Sequence, residues 1–323
     1  MGQPFSFGIA DTAIAEAGGV SLYDLHTNVD AICRAYEAIV PVAERLGVEP
    51  PRPSMAGVAY SHVSTLGCEV KITPEAVEPW VRPCITRPED IDRLREPEDY
   101  LSRGIVPERL RLAEELKRRR PDASTRIGHD YEGPVTTAAL MMGQSFFTLP
   151  LDDPARAHRL LEFVTRSAVN YAKAIRTHQG RAPTGGQQGI CDDFAGIFGP
   201  DLFAEFALPY WKMMYELLEA ESRFMHSELL RAEHLHFLAD AGIDVYDPSV
   251  DQYLTPEILK QHCPVPFTLR MWPAEVRDHS AEELVEMYRH RASFQPVSIT
   301  FSLCQLCEEP KIAALLEVAR ELA

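Results

Sequence analysis

His226-Ser227-Glu228 and, roughly a quarter of the chain later, Cys304-Gln305-Leu306-Cys307 set imidazole, carboxylate and thiolate groups at the ends of two predicted strands. That is the donor set of a catalytic zinc. Three protein ligands leave one tetrahedral position for a substrate atom, whereas four close the site and make it structural. The separation is too long for a zinc knuckle, whose ligands lie close together in sequence, and it suits a cleft assembled from distant segments. Two plainer readings stand beside metal binding: His226 paired with Glu228 as a strand-end hydrogen bond, and the cysteines as ordinary buried thiols.

The elements around these residues place them. Phe224-Met225-His226 lies between helical patterns over 211–221 and 229–241, so His226 and Glu228 fall at the C-terminal end of a strand, where i and i+2 share a face. Val297 to Leu303 is rich in β-branched and apolar residues and runs into Cys304 ahead of a helix over 310–322. Cys304 therefore also ends a buried strand. Further helices are predicted over 28–46, 87–94, 106–120, 154–176, 200–221, 256–262 and 281–290, and extended segments over 53–61, 68–72, 125–129, 185–192, 243–247 and 267–271. This alternation predicts an α/β protein with a parallel sheet, and the number of units predicts closure into a (β/α)8 TIM barrel. One domain over residues 1–323 is expected, with 1–23 a variable N-terminal extension. Barrel catalysis sits at strand C-termini, where His129, Asp192, His226, Glu228, Asp247 and Cys304 all fall.

Composition narrows the function classes. A chain of 323 residues, 46% hydrophobic, can bury a large core and is of a size that one barrel domain accommodates. Its 32 basic and 48 acidic residues give a formal charge of −16, which argues against the basic stripe a nucleic-acid binder needs and favours solubility. The seven cysteines, Cys33, Cys68, Cys84, Cys191, Cys263, Cys304 and Cys307, form an odd, scattered set that reads as reduced thiols. The N-terminus lacks a basic segment followed by an apolar one, and no apolar run of about 18 residues occurs. A cytoplasmic location with no membrane span is expected. The Gly185-Gly186-Gln187-Gln188-Gly189 stretch lacks both the GxxxxGK[ST] pattern and the strand-then-helix setting of a dinucleotide fingerprint.

The order of landmarks resembles the uroporphyrinogen decarboxylase-like superfamily, and within it the zinc-dependent, corrinoid-linked methyltransferase branch, over about residues 24–323. Asp130-Tyr131-Glu132-Gly133-Pro134-Val135-Thr136-Thr137-Ala138 looks like the family's Gly-Pro-(Phe/Val)-Thr segment, and Ile190-Cys191-Asp192-Asp193-Phe194-Ala195-Gly196 is similar to its strand ending in Asp and a short turn. Phe203-Ala204-Glu205-Phe206 with Leu208-Pro209-Tyr210, and Leu238-Ala239-Asp240-Ala241-Gly242 leading into Ile243 to Asp247, resemble two further segments. The resemblance implies zinc ligands of the pattern His-x-Cys plus a distant Cys. His226 and Cys304 match its first and last positions, and Glu228 stands in the middle one, a harder donor of the same formal charge. The expected metal ligands are thus His226, Glu228 and Cys304, with Cys307 as the alternative to Glu228. The decarboxylase branch would carry an Arg-Gln-Ala-Gly-Arg-like segment to hold several carboxylates, and the 55–73 region offers only Lys71 as a cation.

The implied activity is transfer of a methyl group between a small substrate or thiol and a corrinoid. No Asp-x-His-x-x-Gly cobalamin signature occurs, so the corrinoid is expected on a separate partner protein. Asp192 and His129 are candidates for catalytic roles, and Tyr60, His62, Asp193, Asp247 and Cys307 for the substrate pocket. His234 and His236 are read as surface residues. Two rival classes are a metal-free decarboxylase-type lyase, which would need basic residues in the barrel mouth, and a non-catalytic protein that binds a small ligand or a corrinoid protein.

Overall fold

A computed structural model of the chain describes residues 2–74, 79–125, 127 and 131–323. Within them lie the strands β1 (Phe5–Ile9), β2 (Glu69–Lys71), β3 (Trp80–Arg82), β4 (Gln187–Cys191), β5 (Ser222–His226), β6 (Val245–Asp247), β7 (Leu269–Arg270) and β8 (Ile299–Leu303). They form two three-stranded parallel sheets, ordered β4-β5-β6 and β1-β8-β7, and an antiparallel hairpin of β2 with β3. An isolated parallel bridge between Tyr246 and Phe267 connects β6 to the residues leading into β7, with Tyr246 N–H donating to Pro266 O and Thr268 N–H to Tyr246 O, both at 2.9 Å. A second parallel bridge joins Ser54 to Ser124. Among the described residues, the regular ladders do not make one continuous eight-stranded sheet, and the β2–β3 hairpin interrupts the expected alternation.

Phe5–Ile9 falls in the segment expected to be a variable extension. It pairs along its whole length with Ile299–Leu303. Phe5 and Phe7 pack on Phe301, with ring centroids 6.0 and 5.4 Å away. In β8 the pattern alternates: Ile299, Phe301 and Leu303 are buried while Thr300 and Ser302 are only half-buried, as a strand packed chiefly on one face requires.

The helices follow local rules. Asn28 caps the helix Val29–Ala38 by accepting from Asp30 N–H at 3.0 Å and Ala31 N–H at 3.2 Å. The expected single helix over 28–46 is two, because Pro41 has no N–H to continue the ladder and falls in the first turn of a second helix, Val40–Arg45. The 25-residue helix Pro154–His178, capped by Asp153, buries Leu160, Leu161, Val164, Ala168, Tyr171 and Ile175 at the 3–4 spacing of one apolar stripe. No described helix is long and apolar enough to cross a membrane.

Candidate metal centre

Three neighbouring strands end at one level. Register places Cys191, the last residue of β4, beside His226, the last of β5, and His226 beside Asp247, the last of β6. Cys191 and Asp193, two apart at a strand end, face the same way. One sulfur, one carboxylate oxygen and one imidazole nitrogen from Cys191, Asp193 and His226 all lie within 4.8 Å of one another, on half-buried side chains. His226 Nε2 is 3.5 Å from Asp193 Oδ1, and Cys191 Sγ is 3.7 Å from Asp193 Oδ2. Glu228 enters through its backbone, its N–H donating to Asp193 Oδ1 at 3.3 Å.

His226 is oriented from behind. Its Nδ1 lies 2.9 Å from Asp247 Oδ2, and Asp247 also accepts from Thr268 Oγ1 at 3.0 Å, from Ser249 N–H at 2.9 Å and from the Arg270 guanidinium. Burial alone would raise the Asp247 carboxyl, but the hydrogen bonds from His226 and Arg270 hold it well below the usual carboxylate range. An ionised Asp247 can only accept, so Nδ1 carries a proton, and Nε2 is the nitrogen that faces Asp193. Burial would lower the His226 imidazolium, yet the Asp247 hydrogen bond and the charge of Asp193 outweigh it and raise the pKa.

Asp192, expected to face the reaction, points the other way. It is fully buried and accepts from Val135 N–H at 3.2 Å, Thr136 N–H at 2.7 Å and Trp211 Nε1 at 2.6 Å. It thus holds the free N–H groups that open the helix Pro134–Met142, where a carboxylate is favoured. Gly133 permits this approach, because a Cβ there would meet Asp192 Cβ at 2.5 Å. Burial pushes the Asp192 carboxyl up to about 6 even with these donors.

The surroundings are rich in acid. Glu132 is 7% exposed, and one of its oxygens, Oε2, has no hydrogen-bond partner among the described residues; burial and then the charge of Asp193 push its carboxyl up to about 8. Burial likewise raises Asp193, and burial followed by the charge of Glu132 raises the Cys191 thiol. So many groups that would each carry negative charge are expensive to bury without a compensating cation. Sequence reasoning missed Cys191 and Glu132, although the i, i+2 spacing that singled out His226 and Glu228 applies equally to Cys191 and Asp193.

The other expected residues are dispersed. Cys304 is half-buried just past β8, in the sheet that lacks β5, and burial raises its thiol; its N–H donates to Glu308. Neither Cys304 nor the Glu228 carboxylate belongs to the converging group of three. Cys307 is exposed, its sulfur 3.6 Å from Gln305 Oε1. Tyr60 is half-buried next to the short helix Ser61–Thr65. His62, on that helix, is fully buried, with Nε2 2.7 Å from Ser167 Oγ and its ring against Tyr171, so it packs the interior instead of lining a pocket. His129 lies outside the described residues. His236 is exposed as expected, but His234 is buried, accepting from Arg231 N–H at 2.9 Å and packing on Phe203. The reason is local: a 3-10 turn, Ala232–His234, stands where a regular helix was expected.

No curated protein matches the chain in sequence. A solved structure, a methyltransferase from Methanosarcina mazei, superposes with a TM-score of 0.70 over 99% of this chain and 94% of that one, at 16% identity; a likeness at that identity is one of fold. Residues 13–265 match the family described as uroporphyrinogen decarboxylase (URO-D). That match spans most of the chain and includes β4, β5 and β6 with the residues that converge at their ends, so the chain belongs to the uroporphyrinogen decarboxylase family.

Proposed function

We propose that the protein is a zinc-dependent methyltransferase of this family, moving a methyl group between a small substrate or thiol and a corrinoid carried on a separate protein. The observation that carries the reading is the convergence of Cys191, Asp193 and His226 at the ends of adjacent strands. The donor set fits zinc: sulfur, nitrogen and carboxylate oxygen are its usual ligands, and three of them leave a position open. The unsatisfied Glu132 oxygen and the surplus of buried acid fit a cation as well. A zinc ion held there would supply a Lewis acid for a substrate heteroatom and keep a thiol ionised near neutral pH.

The chain's own residues do the rest. Asp247 fixes the tautomer and ring angle of His226, as carboxylates behind metal-binding imidazoles do. Glu228 N–H steadies Asp193. Asp192 anchors the segment carrying Glu132 by capping the helix that follows it. In this reading His226 keeps the role its sequence context suggests, Cys191 and Asp193 take the positions assigned to Glu228 and Cys304, and those two remain the competing ligand set. The Ser54–Ser124 and Tyr246–Phe267 bridges support closure of the strands into a (β/α)8 barrel, with the metal group at its C-terminal mouth, where such barrels react. The fold shared with the methanogen methyltransferase agrees with this reading.

The test is metal analysis of the purified wild type beside His226→Ala, joined to methyl transfer with free methylcobalamin. About one zinc per chain, lost together with transfer in the variant, supports the proposal. A metal content near zero after growth in zinc-replete medium overturns it, and zinc with no methyl transfer to any thiol or amine acceptor would leave a metal-binding protein of another activity.

A further inference from the structure

Away from the metal group, Cys68 and Cys84 meet at the base of the β2–β3 hairpin. The register pairs Glu69 with Arg82, Val70 with Val81 and Lys71 with Trp80, so Cys68 immediately precedes one strand and Cys84 follows the other beyond Pro83. Their sulfurs are 3.2 Å apart, with the Cys68 thiol donating to Cys84. Both backbones are tied down: Cys68 N–H donates to Val63 O at 3.2 Å, and Cys84 and Ile85 N–H both donate to Met141 O, at 3.0 and 2.9 Å. Cys68 is buried and Cys84 half-buried, so Cys84 is the sulfur a small reagent reaches. The shared hydrogen bond holds the Cys84 thiol below its ordinary range and pushes Cys68 above it, and thiolate character is what makes a cysteine react.

We propose that Cys68 and Cys84 form a redox-reactive dithiol, a modification site that hydrogen peroxide converts to a disulfide closing the base of the hairpin. The Cys84 thiolate attacks the peroxide, forming an S–O bond as the O–O bond breaks and giving a sulfenic acid and one water. Cys68 then attacks that sulfur, the S–S bond forms, and the hydroxide leaves as a second water with the Cys68 proton. Two thiols are oxidised by two electrons and the peroxide is reduced by two. The disulfide joins the turn after Val63 to the segment held by the carbonyl of Met141, in the last turn of the helix Pro134–Met142, whose first N–H groups sit on Asp192. The base of the hairpin is then closed covalently, and the helix behind the metal group stays joined to it through the hydrogen bonds to Met141 O.

The experiment treats the full-length reduced chain with hydrogen peroxide in small excess, then counts thiols in denaturant and maps peptides by mass spectrometry. The expected result is loss of two of the seven thiols, a cross-link between the Cys68 and Cys84 peptides, and full recovery with dithiothreitol. Cys68→Ser should leave a sulfenic acid at Cys84 that dimedone captures, Cys84→Ser should leave Cys68 unoxidised, and Cys33→Ser should still form the link. If either hairpin variant fails to fold, the wild-type peptide map decides alone. Oxidation of Cys307 or other thiols while Cys68 and Cys84 still titrate as free overturns the proposal, as does irreversible over-oxidation of Cys84 without the link.

Discussion

Asp247 and His226 sit side by side at the ends of β6 and β5, joined by a 2.9 Å hydrogen bond between Oδ2 and Nδ1. Everything else around Asp247 reinforces that contact, since Thr268, Ser249 and Arg270 all donate to the same carboxylate. The pair therefore works as one unit, an imidazole whose outer nitrogen is aimed by a fixed anion.

Asp247→Asn should weaken zinc binding by about 10- to 100-fold without removing a ligand, because the tautomer and ring angle of His226 are no longer enforced. Competition with a chromophoric chelator measures this. Unchanged affinity would mean that His226 does not bind the metal through Nε2.

Two ligand sets compete, and five variants separate them. Cys191→Ser and Asp193→Asn should purify with little zinc, whereas Glu228→Gln and Cys304→Ser should retain it, because only the first pair shares the converging geometry with His226. Cys307→Ser should retain zinc as well. The opposite pattern would move the metal to His226, Glu228 and Cys304.

Asp192→Ala should cost at least about 2 kcal/mol of stability, since it strands buried donors on Val135, Thr136 and Trp211. Urea unfolding gives the value. A variant that is fully stable yet inactive would restore Asp192 to a catalytic role.

Acid should destabilise the protein through His62. Burial holds its folded pKa down at about 3, while an unfolded histidine titrates near 6.5. Between those values the unfolded chain binds more protons than the folded one, so stability falls as the pH is lowered through that window, at up to roughly 1.4 kcal/mol per pH unit. His62→Gln, which keeps a polar group near Ser167, should flatten the slope measured by urea unfolding between pH 6.5 and 4. An unchanged slope would assign the acid sensitivity to other groups.

Much of this protein is readable from its residues in order. The βα alternation marked an α/β chain. The i, i+2 pattern at strand ends singled out His226, and the strand-end positions of Asp193 and Asp247 were visible too, because side-chain direction and strand termination are local properties of the backbone. Which strand lies beside which is not local. Lateral pairing is decided by contacts between segments far apart in sequence, so only the tertiary structure set Cys191 of β4 next to His226 of β5 and put Cys304 just beyond a strand of the other sheet. The same non-local packing drew Phe5–Ile9 against β8 and turned Asp192 back onto a helix N-terminus. Residue order could name donors of the right chemistry, but their assembly depended on the neighbours that the folded chain gave each strand.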